Sequence, residues 1–177
     1  MKKKGIFNEY KGQLRKEIQI YCKENGIGEN EFHFLSIYGW EDVYIKIMLS
    51  FGEYKYVSRN GLHRMNTNCA YNREITYSFC SADQWEWILK LPEMVGNEEM
   101  IYLVLEERGQ RSKFWIAEGK PAVIAHLLNE GFFESDYYIV DKKFQWMIAR
   151  EHHCCVHFIG DGFQYDFTKL EETGQMN

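Results

Sequence analysis

Between Tyr137 and Ile159 three β-rich runs follow one another so closely that only one way of pairing is open to them. Tyr137–Val140, Phe144–Ala149 and Cys154–Ile159 are separated only by Asp141-Lys142-Lys143 and by a turn at Glu151-His152. Parallel neighbours need a crossover of about a dozen residues, so turns this short dictate antiparallel pairing. Upstream, Met100–Leu105 is nearly all apolar, as in a strand buried on both faces, and a turn containing Gly109 leads to a second strand at Lys113–Ala117. Gly119-Lys120-Pro121 opens a helix that runs to Glu130 and ends at Gly131, with Ile124, Leu127 and Leu128 toward the core. One helical connection, which permits parallel pairing, thus stands among short turns that do not. The fold class expected is α+β: a single domain with a mixed, mostly antiparallel sheet over residues 100–159, packed against helices.

The first half reads less sharply. Asn8–Glu24 has Leu14, Ile18 and Tyr21 at helical spacing, and its outer face is an ordinary charged one, giving a helical segment over 8–25. Phe32–Tyr38, Val43–Met48 and Tyr54–Val57 read as strands, the last two as a hairpin, although residues 41–49 fit a helix as well. Residues 58–73 read as a long loop and Ile75–Phe79 as a strand. Ser81-Ala82-Asp83-Gln84 has the form of a capping box opening a short helix, with Trp85, Ile88 and Leu89 inward, Trp87 outward and Pro92 as its stop. The domain is expected to span residues 1–167, with 168–177 a frayed tail.

A chain of 177 residues with 12 Phe, 12 Tyr, five Trp and two Pro is the size and composition of one globular domain rather than a disordered chain. No run approaches the ~20 apolar residues of a membrane span. The basic start Met1–Gly5 leads to Asn8, Glu9 and Lys11 instead of an apolar segment, so a cytoplasmic protein is expected. The five cysteines lack regular spacing, and reduced thiols are expected. A net charge of −5 argues against nucleic acid as partner. The acidic excess lies wholly in the last quarter: residues 129–177 hold four Lys and Arg against nine Asp and Glu. Asp136, Asp141, Glu151 and Asp161 fall at expected strand ends and turns, where they can form an acidic surface that steers a basic protein partner. Trp87, together with one of Tyr137 and Tyr138, is expected to add exposed aromatic contact area.

His152-His153-Cys154-Cys155-Val156-His157 is the densest chemical cluster. On a strand, His153, Cys155 and His157 share one face, yet the run lacks the separated ligand pairs of a specific metal motif. Cysteines packed in a core, with histidines at a turn, explain it more simply. No nucleophile elbow, phosphate-cradling loop or dinucleotide fingerprint occurs, so no cofactor or structural metal is expected. A small enzyme or metal-binding protein built on residues 152–157 is the alternative to a binding protein.

At Phe114-Trp115-Ile116, Glu118-Gly119-Lys120-Pro121, Asp136–Trp146 and Glu151-His152-His153, the chain resembles a group of small, uncharacterised bacterial proteins. The resemblance covers roughly residues 85–160. Immunity proteins that neutralise cytoplasmic toxins by binding them are similar small α/β proteins. The resemblance therefore implies a cytoplasmic protein-binding function, such as that of an immunity protein with a toxin domain as its partner.

Overall fold

The computed structural model describes residues 12–36, 38–52, 73–80, 85–108, 114–133, 136–151 and 155–170. Helix α1 (Gln13–Glu24) leads to strand β1 (Phe32–Phe34), helix α2 (Trp40–Phe51) and strand β2 (Ile75–Cys80). A 3₁₀ segment, Trp85–Lys90, runs into the short helix α3 (Leu91–Val95). Then come β3 (Ile101–Glu106), β4 (Phe114–Gly119), α4 (Pro121–Asn129), β5 (Tyr137–Val140), β6 (Trp146–Arg150) and β7 (Cys155–Gly160). The strands form one seven-stranded sheet in the order β1-β4-β3-β5-β6-β7-β2.

The α+β class holds, and every pairing is antiparallel. The helical connection expected to permit parallel pairing instead carries the chain across a strand. β4 and β5 run in the same direction but flank β3, each antiparallel to it, with α4 bridging over. Both faces of the sheet are covered. On one side Leu14 and Ile18 of α1, Ile88, Leu91 and Met94, and Ile124 and Leu128 of α4 pack on Leu103, Leu105, Ile139, Ile148 and Phe158. On the other, Tyr44, Ile47, Met48 and Phe51 of α2 pack with Val104, Tyr138, Val140 and Met147. Each fully buried Leu or Ile contributes about 1.5–3 kcal/mol, which fixes the helices to the sheet.

Several expectations are corrected. Val43–Met48 is helical, not a strand, because Tyr44, Ile47, Met48 and Phe51 recur at 3, 4 and 7 and form the stripe that α2 buries. Glu41 and Asp42 in its first turn favour a helix N-terminus. The expected partner strand Tyr54–Val57, the loop through residue 72 and the capping box 81–84 lie outside the described residues. Phe32–Tyr38 shortens to Phe32–Phe34. Trp87 is buried because Phe79 of β2 and Phe158 of β7 pack on its ring, while Leu89, one residue past the core-facing Ile88 on the 3₁₀ segment, is exposed, the reverse of expectation. Pro92 sits in the first turn of α3, where its missing N–H costs nothing, and is not a stop. Tyr137 and Tyr138 point to opposite faces and are both buried because both faces are covered. Residues 168–170 form a helical turn and Leu170 joins the core, while the rest of the expected tail, 171–177, lies outside the described residues. No helix among the described residues is long and apolar enough to cross a membrane.

Candidate functional site

The register of the central strands lines up three carboxylates. Leu105 lies opposite Tyr137, and Tyr137 opposite Arg150, so one step outward places Glu106, Asp136 and Glu151 side by side across β3, β5 and β6. Glu106 N–H donates to the Asp136 carbonyl at 3.5 Å, and Glu151 N–H to the Cys155 carbonyl at 2.9 Å. Strands lie about 4.8 Å apart, so neighbouring carboxylates in this row are close in space. Side-chain alternation puts the row on the α2 face, the face of Tyr138, Cys155 and His157. His157 Nε2 is 3.8 Å from Glu151 Oε1. Among the described residues, no three His, Cys, Asp or Glu side chains converge to hold a metal. His152, His153 and Cys154 lie outside them.

Four of the five residues expected on a partner-binding surface are buried. Asp136 is 1% exposed and Glu151 5%. They end strands at the centre of the sheet, where both faces are covered, and not at its edges. Asp141, 8% exposed, is tied into the β5–β6 turn. Its Oδ1 accepts from Gln145 N–H (2.6 Å) and Trp146 N–H (2.9 Å), its Oδ2 from Lys143 N–H (3.1 Å), and the turn closes with Phe144 at φ 56°. Trp87, 4% exposed, packs edge-on against Phe79 and Phe158, both at 5.9 Å between ring centroids. Asp161 alone is exposed. An acidic docking surface therefore loses its premise: three of its four acids and its tryptophan are inside the protein.

A different surface is assembled around α1 and the short edge strand β1. The anchor is Glu107, only 1% exposed. Its Oε1 accepts the N–H groups of Leu14 (3.2 Å) and Arg108 (3.0 Å), and its Oε2 accepts Trp115 Nε1–H at 2.5 Å. A carboxylate from β3's end thus caps α1, whose own cap position, Gly12, has no side chain to do so. Arg108 adds a 2.7 Å ion pair with Glu17. Held this way, α1 turns Arg15, Gln19 and Lys23, spaced four apart, toward β1. Between them lies a cavity of about 460 Å³ whose floor includes Phe32 and Phe34. Drug-sized ligands and peptide side chains occupy pockets of this size. The Arg15 guanidinium is stacked 5.2 Å from the Phe34 ring centroid and 5.1 Å from that of Trp115. Cys22 also lines the cavity, and burial pushes its thiol above the ordinary value.

In the sequence, the Arg15, Gln19 and Lys23 spacing is visible, but it looks like any solvated helix face. Nothing local shows that the face overlooks an open strand edge, because β1 is contributed by residues beyond a tight turn and is only three residues long.

Searches of curated proteins and of solved structures found no match. Residues 10–171 match the profile of a family described as a family of unknown function (DUF6756). The match covers nearly the whole chain, far beyond the 85–160 region in which a resemblance is visible by eye, and the chain belongs to that family.

Proposed function

We propose that this protein works by binding another protein, which seats at the β1 edge against the Arg15–Lys23 face of α1. The observation that carries this reading is the pairing of two cations with an aromatic floor in one groove, whose lining holds a single carboxylate, Glu29. Neither Arg15 nor Lys23 meets a carboxylate among the described residues, and Arg15 is already stacked in place. Pre-placed arginine beside large aromatic area is the composition of a binding hot spot. The partner's contact region is acidic, opposite in sign to the basic partner expected from the acid-rich end of the chain. Neutralisation of a toxin domain in a bacterial cytoplasm is the specific form we propose, by analogy with immunity proteins of similar small α/β build.

Affinity capture from the native host tests the reading when wild type is compared with Lys23→Glu and with Arg15→Glu/Lys23→Glu. A stoichiometric protein partner, reduced at least tenfold by Lys23→Glu in a variant that melts like wild type, is expected. A partner retained equally by all three proteins contradicts it.

One observation favours the alternative of an enzyme or metal-binding protein. Cys155 and His157 share a strand face, and Glu151 approaches His157 at 3.8 Å beside two further buried carboxylates. Near-stoichiometric zinc or copper in protein purified without added metal, lost on His157→Ala, would support that reading.

A further inference from the structure

We infer that the α1–β1 groove receives an extended acidic segment of the partner as an added strand on β1, with acidic residues four positions apart; this rests on the binding function proposed above. The pairing of β1 with β4 shows which of its backbone groups are committed. His33 lies opposite Glu118, Lys120 N–H donates to the Glu31 carbonyl at 2.8 Å, and Leu35 N–H donates to the Ile116 carbonyl at 2.9 Å. Residues 31, 33 and 35 therefore direct their backbone groups toward β4, and Phe32 and Phe34 direct theirs outward. Phe32 N–H is taken by the Gly28 carbonyl at 3.0 Å. Phe34 N–H, Phe34 C=O and Phe32 C=O point away from β4, toward the side where no strand pairs with β1 among the described residues. That is the hydrogen-bonding edge an antiparallel strand requires.

The cavity lies on the same side. It is lined by Phe32 and Phe34 from one sheet face and by His33 from the other, so it opens along the strand edge rather than within a face. A segment pairing with β1 places the residue opposite Phe34 on the α1 side, beside the stacked Arg15 guanidinium. Two residues further on, the residue opposite Phe32 meets an apolar wall that includes Cys22 and Ile27. Lys23 is eight residues from Arg15 on α1, about 12 Å along the axis. Four residues of an extended strand span about 13–14 Å. The two cations thus match acidic residues at the first and fifth positions of the segment, with an apolar residue midway. Only a segment combining free backbone groups with this spacing uses the whole groove.

The probe is a seven-residue, end-blocked peptide with Glu at its second and sixth positions, Val at its fourth and Thr elsewhere, titrated into the full-length protein and followed by amide NMR. Binding is expected to shift the Phe34 amide and slow its hydrogen exchange at least tenfold, leaving His33 N–H, already facing β4, protected as before. Methylating the backbone nitrogen of the first Glu removes the hydrogen bond to Phe34 C=O, and exchanging both Glu for Lys removes charge matching. Each change is expected to weaken binding at least tenfold. Equal binding of the methylated peptide, or an undisturbed Phe34 amide at saturation, overturns strand addition. No detectable binding of the parent peptide at millimolar concentration overturns it as well. If capture of the partner still depends on Lys23 in any of these cases, the binding function stands and only its mode fails.

Discussion

Burial of charge decides what individual residues do here. Glu107, Asp141, Asp136 and Glu151 all look like surface acids in the sequence, because nothing local reveals that the strands they end are covered on both faces. Glu107 satisfies three donors, two of them backbone N–H groups, and its removal leaves them without an acceptor. Unpaired buried donors cost about 1–3 kcal/mol each, partly relieved by water, so Glu107→Ala is expected to lower stability by roughly 2–4 kcal/mol. Asp161→Ala, at an exposed turn, is expected to change it by less than about 0.5 kcal/mol. Urea melts of the two variants make the comparison. Tyr44 supplies a second residue-scale test: burial pushes its phenol up to about 12. The unfolded phenol loses its proton near pH 10 while the folded one keeps it, so this contribution is complete below about pH 10 and is lost as pH rises toward about 12, by about 1.4 kcal/mol per unit. Tyr137, raised in the same direction by burial, adds to the same alkaline loss. Between about pH 9 and about pH 11, Tyr44→Phe is expected to lose less stability than wild type. Equal losses would show that Tyr44 titrates normally in the folded protein.

At the level of elements, the second half of the chain was legible because its signals agree. The apolar run at 101–105, the Pro121 start and Gly131 end of α4, and the short turns after Val140 and Arg150 each admit one reading. The first half was not, because its signals conflict. Val43, Ile45 and Ile47 alternate as in a strand, while Tyr44, Ile47, Met48 and Phe51 form a helical stripe, and only packing on the sheet chooses the second. The burial of Trp87 is equally hidden in the sequence, because the rings that cover it, Phe79 and Phe158, come from strands that pair only in the folded sheet. The acidic row escaped notice for a related reason: its members come from three strands and meet only once the register is set. Glycine positions separate backbone conformation from space in a way that tests the β6–β7 pairing. Gly160 (φ 86°) and Gly131 (φ 81°) share a left-handed backbone, but a Cβ on Gly160 meets the Gln145 carbonyl and the Trp146 backbone, while one on Gly131 meets nothing. Gly131→Ala is expected to cost about 1–2 kcal/mol. Gly160→Ala is expected to cost clearly more, read from thermal melts, since the close contact is with backbone that cannot rotate away. Similar losses at both sites would mean that the β6–β7 approach is looser than described.

For the molecule as a whole, the described helices cover both faces of the sheet, and among the described residues no further strand pairs with its two end strands, β1 and β2. The two ends differ in chemistry. β1 faces a groove carrying Arg15 and Lys23 over aromatic rings, whereas β2 presents an exposed strand with Ile75 at its start. The acidic surplus that gives the chain its net charge is partly spent inside, on the β5–β6 turn and the carboxylate row, and so says little about what the protein binds. A binding function at the β1 end makes one asymmetric demand. A photo-crosslinking amino acid placed at Gln19, beside the groove, or at Ile75, on the far edge, reports in the native host which end meets another protein. A discrete protein adduct is expected from Gln19, abolished when Lys23→Glu is added, and none from Ile75. An adduct formed from Ile75 and absent at Gln19 would contradict it.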